Sequence, residues 1–441
     1  MKSLFNRFVS DYGMVFVLLL IAAFFSVVTI SDQSSTDENA ANQVAEDIRS
    51  LETNAKVLIA VGDQPADSAF AESLEKKLSS TRSMVVAVAK GQPKSARDAI
   101  ERFSESGGKL DVIACTKSAS KWLVFEDLAT DFPLIGSPMF ITPRSYRWPN
   151  FLKSENLLNI ANQIAVIAII AIGMTIVIIT GGIDLSVGSL LALSAVLTAR
   201  FIRDYSGGIN ASTVGMIVCS LAAILICGLL GAITGMMVTR FSIPPFIVTL
   251  AMMLVASGLA YTLADGQSIY QLPDSFVWLG RSATLWSLPN AVFLMLVLYV
   301  VAHVMMSRMK LGRYIYSVGG NREAARLSGV PVQRVLMLTY IVCAMLAGLG
   351  GVIMASQLKS GSATYGSMYE LYVIAAVVVG GASLNGGEGK MPGTLIGAFT
   401  IAIIQNGMNL INVESYTQKI VLGLVILGAV LLDKIRHDQP Y

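Results

Sequence analysis

Charged residues are scarce in this chain of 441 residues, since Asp, Glu, Lys and Arg together make up only 14%. Soluble domains carry about 25% charged residues, whereas 54% of this chain is hydrophobic and its mean hydropathy is +0.64. This shortage excludes an ordinary soluble protein and predicts an all-α polytopic membrane protein. The net charge of +3 is small, and no basic run of the kind that binds nucleic acid occurs, so no nucleic-acid partner is expected.

Histidine and cysteine are also rare, with two and four residues respectively. Two histidines cannot supply a metal centre. Three of the cysteines lie in apolar runs, where a thiol is ordinarily a small core residue, and the fourth has no partner nearby, so no disulfide framework is predicted. These cysteines are Cys115, Cys219, Cys227 and Cys343.

Catalytic and nucleotide-binding motifs are missing as well. No Ser/His/Asp or Cys/His constellation is visible, and no GxxxxGK[ST] occurs anywhere in the chain. The glycine-rich turn 380–390 resembles a phosphate loop only superficially, because Met391 and Pro392 follow its lysine. We therefore expect no enzymatic activity, no metal and no cofactor in this chain.

Long hydrophobic runs are abundant, and about ten are long enough to cross a bilayer. The N-terminus has a basic start but no small-x-small cleavage pattern, so residues 1–30 are predicted to be a tail and an uncleaved first span. Short loops rich in Lys and Arg stay cytoplasmic, which places both chain ends inside and makes Arg200 and Arg203 exceptions on the outside. The predicted spans are 13–30, 156–180, 186–203, 212–238, 244–264, 286–307, 334–356, 370–384, 392–411 and 417–433.

The stretch 31–147 interrupts this pattern and predicts a small inserted extracytoplasmic α/β domain with linkers. Short apolar runs at 56–61, 84–89 and 110–114 predict strands, with a fourth at Trp122–Phe125, and helical patterns at 66–78 and 93–103 alternate with them. Such alternation is typical of a parallel sheet. The first strand ends in Val61-Gly62-Asp63 without a full GxGxxG, so the favoured interpretation is a spacer or docking domain rather than a nucleotide site.

Residues 148–441 form the main membrane part, and a cationic loop at 308–334 lies between two of its spans. The sequence of this loop predicts a two-turn helix. Asn321 suits an N-cap, and Glu323 and Arg326 match the helix dipole. Gly329 followed by Pro331 ends the helix. The loop either docks in a groove on a cytoplasmic partner or is a solvated loop with a chance helix. The candidate docking residues are Asn321, Arg322, Glu323, Ala324, Ala325, Arg326, Leu327, Ser328 and Gly329.

Polar residues interrupt several spans and are candidates for a solute pathway. Asp184 and Ser186 follow Gly181-Gly182, and a carboxylate at this depth is functional by default, although a purely structural helix cap explains it equally well. Amides in a bilayer either join helices or contact a polar solute. The candidate pathway residues are Gln163, Asp184, Ser186, Gln405, Asn406 and Asn409.

The segments GGIDLSVGSLLAL, LGRYIYSVGGNREAARLSGVPV, VVVGGASLNGGEGKMPGTLIGA and NGMNLI occur in this order. From about residue 150 to 433 the chain thereby resembles the ribose-type branch of ABC transporter permeases. The resemblance implies about ten spans and an importer of a monosaccharide such as ribose in the inner membrane. It also implies a second permease subunit as a homodimer partner, a cytoplasmic ATPase that binds ATP and Mg²⁺, a periplasmic sugar-binding protein, and a coupling role for the helix 321–329. The family has only a short connection where this chain carries residues 31–147.

Two other classes of function remain open at this point. A secondary transporter driven by an ion gradient needs intramembrane carboxylates or histidines, for which Asp184 and His303 are the candidates. A membrane sensor would use the inserted domain to bind a ligand outside while the spans transmit the signal.

Overall fold

The computed structural model describes residues 2–51, 54–80, 83–285 and 287–437. It divides into two compact units. The helical unit comprises Met1–Thr29 and Asn150–Tyr441, and the α/β unit comprises Ile30–Pro149. The chain enters through helix α1 (Lys2–Val28), passes through the α/β unit and returns to the helical unit.

The α/β unit is built on a parallel sheet. Its elements are β1 (Ile30–Ser34), α2 (Glu38–Leu51), β2 (Lys56–Val61), α3 (Pro65–Ser79), β3 (Met84–Lys90), α4 (Pro93–Glu105), β4 (Val112–Cys115), α5 (Leu128–Asp131), β5 (Met139–Ile141) and β6 (Ser145–Pro149). The strand order is β3-β2-β4-β5 with all neighbours parallel, while β1 and β6 form a separate antiparallel pair. Helices cover both faces of the sheet, which is why β2 and β4 are continuous apolar runs.

Local signals account for most of this unit. Pro65 and Pro93 begin α3 and α4, as proline does at a first helical position. The helix predicted at 66–78 is confirmed as α3, and its Phe70 and Leu74 side chains are fully buried. The strand predicted at Trp122–Phe125 is wrong: Leu123–Phe125 is a 3₁₀ turn, in which Phe125 is buried and stacks on Trp122. The fourth strand of the sheet is β5 instead.

In its described residues, the helical unit contains eleven further α-helices and one short strand pair. They are α6 (Ser154–Ile179), α7 (Val187–Tyr205), α8 (Thr213–Arg240), α9 (Pro245–Leu263), β7 (Ala283–Leu285), β8 (Leu288–Pro289), α10 (Asn290–Arg308), α11 (Lys310–Gly320), α12 (Arg322–Leu327), α13 (Val332–Leu358), α14 (Tyr369–Val379), α15 (Met391–Leu410) and α16 (Ser415–His437). Five of them, α6, α8, α9, α10 and α13, are long and apolar enough to cross a membrane, and shorter apolar helices lie at 13–28, 369–379 and 415–431.

Helix α13 occupies the centre of this unit and packs against α6, α7 and α8. Small residues bring the backbones of these helices together. A Cβ atom added at Gly231 of α8 would lie 2.5 Å from the Cβ of Ala344 and 2.7 Å from the carbonyl oxygen of Tyr340. Larger residues at this crossing would therefore separate α8 from α13.

Two sequence expectations about this unit need correction. The interval 308–334 contains not one short helix but two, because α11 precedes α12 and buries Ile315 and Val318. The span expected at 370–384 is only eleven residues long as α14. At 1.5 Å per residue α14 reaches about 16 Å, roughly half of a hydrocarbon core, and the non-helical segment 359–368 precedes it.

Candidate functional site

Helix α12 is a short rigid element with both ends capped. The Asn321 side chain accepts a hydrogen bond from the Ala324 backbone nitrogen at 2.9 Å, which confirms the predicted N-cap. At the other end Gly329 has a φ of +80°, and the Val330 nitrogen donates to the Ala325 carbonyl at 3.0 Å. This pattern is a Schellman motif. Both ends of α12 are therefore held by hydrogen bonds within nine residues.

The outer face of α12 is free to contact another molecule. Ala325 faces inwards and is buried, whereas Leu327 is 80% exposed. The Arg326 guanidinium contacts the Glu323 carboxylate at 2.6 Å, and both side chains are largely exposed. An exposed leucine beside a charged pair is a suitable docking face, because it offers apolar area together with directional polar contacts.

The inner face of α12 is tied to the end of α6 at a place that we call the α6 junction, formed by Ile179, Thr180, Gly319, Arg322 and Gly387. The Arg322 guanidinium donates to the Thr180 carbonyl at 3.0 Å, and the Gly387 nitrogen donates to the Ile179 carbonyl at 2.8 Å. A cation and an N–H group thus satisfy the carbonyls that a helix C-terminus leaves free. A Cβ at Gly319 would lie 1.7 Å from the Ile179 carbonyl oxygen, so this contact requires glycine.

The break between α6 and α7, residues 180–186, contains the predicted carboxylate. Asp184 is 1% exposed and accepts hydrogen bonds from the backbone nitrogen of Ser186 at 2.9 Å and from its hydroxyl at 2.6 Å. The Cys343 thiol lies beside the same carboxylate. Asp184 and Ser186 therefore satisfy one another inside the protein and hold the start of α7.

The amides predicted for the pathway are spread along two helices. Asn406 exchanges two hydrogen bonds with Asn156, at 2.9 and 3.0 Å, and Asn409 accepts from Gln418 at 2.8 Å. Gln405 is half-buried and Gln163 is exposed. The paired amides join α15 to α6 and to α16, which is the helix-joining alternative for such residues.

A cavity of about 310 Å³ lies elsewhere in the helical unit, between α7, α9 and the segment 363–370. None of the six predicted pathway residues is among its described lining residues. Its volume is at the lower end of the roughly 300–1,000 Å³ typical of small-molecule sites. The polar lining residues are Ser189, Ser257, Tyr261, Thr364, Tyr365, Ser367 and Glu370. The signal that could have found them is the run SGSATYGSMYE at 360–370, which is rich in hydroxyls beside an apolar span.

The N-terminal ends of α7 and α14 lie beside this cavity. Both are inside the bundle, away from the end of the bundle at which α12 lies. A Cβ at Gly173 of α6 would lie 2.6 Å from the Cα of Cys343, and Gly173 precedes the end of α6 by six residues, about 9 Å. Asp184, next to Cys343, is therefore well inside the bundle, and α7 begins beyond it. Helix α14 starts beside the first turn of α7, because a Cβ at Gly188 would lie 2.5 Å from the Gly366 carbonyl oxygen. Broken helices of this kind line cavities in transporters.

The opposite end of the bundle is closed over the segment that follows α13. Ile269 and Gly361 exchange backbone hydrogen bonds at 2.8 and 2.9 Å. The Gly280 nitrogen donates to the Ser356 hydroxyl at 2.9 Å, and Lys359 pairs with Asp274. The connection between α9 and α10 thus covers the start of the non-helical segment that leads to the cavity.

The chain matches one family model over residues 156–430, and that family is described as "Branched-chain amino acid transport system / permease component". The ribose import permease protein RbsC of Escherichia coli (strain K12) is 43% identical over 65% of this chain and 87% of its own length. The protein of the same name from Bacillus subtilis (strain 168) is 41% identical over 68% and 92%. The D-allose transport system permease protein AlsC of Escherichia coli (strain K12) is 34% identical over 65% and 85%. No solved structure matches.

The matched region begins where the α/β unit ends and contains α6 to α16 almost completely. It includes the α6 junction, α12 and the cavity. With several apolar spans, the chain is a multi-pass inner-membrane protein. The resemblance drawn from the four segments of the sequence is therefore confirmed: the chain belongs to this permease family and is a ribose-type ABC permease.

Proposed function

We propose that this chain is the membrane-spanning permease subunit of an ATP-driven importer for a monosaccharide such as ribose. It would receive the sugar from a periplasmic binding protein and release it into the cytoplasm. ATP and Mg²⁺ would bind in a separate ATPase pair, because no ATP-binding motif occurs in this sequence. The names of the ribose and allose permeases support the sugar class, and the hydroxyl-lined cavity supports a neutral, hydroxyl-rich solute.

The observation that carries this proposal is the α6 junction. Helix α12 presents Leu327 and the Glu323–Arg326 pair outwards, while Arg322 reaches the end of α6. From Thr180 the break 180–186 leads directly to the first turn of α7, where Gly188 lines the cavity. A displacement of α12 by the ATPase would therefore move the end of α6 and, through residues 180–186, the first turn of α7 at the cavity. This movement would shift the balance between the outward-open and inward-open states of the cavity.

The helix order supports ten crossings, by α1, α6 to α10 and α13 to α16, with α14 completed by the non-helical segment before it. This arrangement puts both ends of the chain and α12 in the cytoplasm. The two exceptions to the positive-inside rule have a local explanation. Arg203 pairs with Asp204 at 2.6 Å, and Arg200 donates to the Leu263 carbonyl at 2.5 Å as well as approaching Asp204 at 3.4 Å.

A second copy of this permease would complete the transport path. The cavity is open along α9, where Leu254 and Tyr261 are exposed. Lipid on that side would offer no hydrogen bonds to the polar lining or to a bound polar solute, whereas a second subunit related by two-fold symmetry would cover both cavities at once. The α/β unit would then face the periplasm in two copies, where it would act as a spacer or as a docking site for the binding protein.

Reconstitution of the purified chain with its ATPase and binding protein in proteoliposomes tests the proposal. We expect sugar uptake that requires ATP and all three components. Replacement of Asn321–Gly329 by a flexible Gly-Ser segment is expected to abolish uptake and ATPase stimulation while membrane insertion persists. Arg326→Glu is expected to weaken the coupling in the same direction, because it places two acidic groups together on the docking face.

Two outcomes would contradict this assignment. Uptake by the chain alone, driven by an ion gradient without ATP, would make it a secondary transporter. Saturable ligand binding to the α/β unit, with no uptake by the complete complex under any condition, would favour a membrane sensor.

A further inference from the structure

Glu370 is a second carboxylate inside the bundle, and unlike Asp184 it faces the cavity. It lies in the first turn of α14 and is half-buried. An ionisable side chain within a membrane protein marks a functional site by default. We propose that Glu370 is the residue that selects the solute, and that its carboxylate accepts hydrogen bonds from two neighbouring hydroxyl groups of the sugar during passage. This inference rests on the proposed function.

The carboxylate of Glu370 lies close to the backbone at Gly188. A Cβ at Gly188 would lie 2.4 Å from Oε2 of Glu370. The carboxylate therefore rests against the bare backbone of the first turn of α7, and any side chain at position 188 would displace it. Gly366, with a φ of +69°, turns the chain into α14 at the same level. Gly188 thus makes room for the carboxylate, and Gly366 makes room for the backbone of α7, since a Cβ at Gly366 would lie 2.6 Å from the Gly188 carbonyl oxygen.

The surroundings of Glu370 leave its carboxylate with free hydrogen-bonding capacity. Glu370 lies at the start of its own helix and against the start of α7, and helix N-termini stabilise negative charge. In the described part of the chain, no Lys or Arg nitrogen lies within 4.0 Å of it. An ionised carboxylate is an acceptor only and has sites for about four hydrogen bonds. The Glu370 carboxylate can therefore accept hydrogen bonds from donors other than lysine or arginine side chains.

The rest of the lining indicates which solute provides those donors. Ser189 is on α7, Ser257 and Tyr261 are on α9, and Thr364 and Ser367 are on the segment before α14. Hydroxyls both donate and accept, so they complement a solute with many hydroxyls. A sugar has adjacent hydroxyls that can bind the two oxygens of one carboxylate. An anionic sugar derivative would be repelled by Glu370 at close range.

Uptake measurements on the reconstituted complex separate this inference from the proposed function. The binding protein is used at saturation, so that its own affinity for the sugar does not limit the rate. Uptake of ribose and of its single-deoxy analogues is compared for the wild type, Glu370→Ala and Glu370→Gln, with Glu414→Gln as a matched control on an exposed carboxylate outside the cavity. ATPase activity without sugar is measured in the same vesicles.

We expect Glu370→Ala to lower ribose uptake by about tenfold to a hundredfold, the range for loss of hydrogen bonds to a charged group. The loss should be several times smaller for the deoxy analogue that lacks a contacted hydroxyl, and ATPase activity without sugar should be retained. Glu370→Gln should lose less than Glu370→Ala, because one oxygen acceptor remains.

The contrary results are equally definite. Equal uptake by Glu370→Ala, Glu370→Gln and the Glu414→Gln control would overturn the role of Glu370. So would an equal loss for ribose and every deoxy analogue, since that result is expected from a merely structural residue. If the wild-type complex takes up no sugar with ATP, the proposed function itself fails, and the fault is then not specific to Glu370. Glu370→Gln keeps the size of the side chain and carries the test if the alanine variant does not fold.

Discussion

The hydrogen bond from Arg322 to the Thr180 carbonyl gives the most direct test of how α12 acts. In Arg322→Ala the guanidinium is lost, while the caps of α12 at Asn321 and Gly329 remain intact. A hydrogen bond from a charged donor is worth about 1.5–3 kcal/mol when it is well buried. Arg322 is exposed over much of its length, so solvent screening reduces the value to about 1 kcal/mol.

Since about 1.4 kcal/mol corresponds to a tenfold change, the loss predicts a decrease of roughly fivefold in the number of sugars transported per ATP hydrolysed. The assay is simultaneous measurement of uptake and phosphate release in proteoliposomes that contain the ATPase and the binding protein. Phosphate release should remain near the wild-type rate, because the outer face of α12 is unchanged.

Arg313→Ala is the matched control, since it removes an exposed guanidinium from α11, outside α12 and its docking face. In the described part of the chain, the Arg313 side chain forms no ion pair with a carboxylate, so no effect on the α6 junction is expected. The reasoning is refuted if Arg322→Ala transports as many sugars per ATP as the wild type, or if both variants lose the same fraction.

Three further predictions concern stability and reactivity. Gly319→Ala should lower the thermal unfolding midpoint strongly, because its Cβ would lie 1.7 Å from a backbone oxygen. Gly320→Ala should be near neutral, because nothing lies within 4 Å of its Cβ. Equal midpoints for the two variants would contradict the close contact at Gly319. Asn406→Ala should cost about 1–2 kcal/mol, because the side-chain oxygen of Asn156 loses its donor while the Asn156 nitrogen keeps its hydrogen bond to the Phe151 carbonyl. The double alanine variant should recover part of this loss in thermal unfolding, and additive losses would exclude coupling. Burial raises the pKa of the Cys115 thiol to about 12, so at pH 8 it stays protonated, and iodoacetamide should label it only after unfolding, as mass spectrometry of the peptide can show.

Local chemistry explains which parts of the fold could be predicted. Asn321 and Gly329 cap α12 because their preferred backbone and side-chain geometries act within a few residues, whatever the rest of the protein does. Helix α11 was missed for the opposite reason. Its charged residues and glycine resemble a loop, and its stability comes from distant contacts such as the Tyr316 hydroxyl donating to the Gly389 carbonyl at 2.6 Å.

The candidate site shows the same limit more strongly. The sequence shows that Asn406 is polar within a span, but its partner Asn156 is 250 positions away. Likewise, Glu370 is an unremarkable residue at the start of an apolar run until the fold brings it against Gly188. Whether a polar residue in a membrane helix is satisfied by the protein or faces a cavity depends on such distant neighbours, and no periodicity records them.

The way in which the α/β unit is attached has a consequence for how this chain can change. Ile30 and Pro149 are paired at one end of an antiparallel ribbon, and in the helical unit the Asn150 nitrogen donates to the Thr29 carbonyl at 3.0 Å. The polypeptide thus leaves and rejoins the bundle at adjacent points, as it would at a tight hairpin. The α/β unit can therefore be deleted, or replaced by an unrelated domain, without changing the length or direction of any membrane-spanning helix. Relatives with and without an inserted domain at this position can therefore have the same membrane-spanning part.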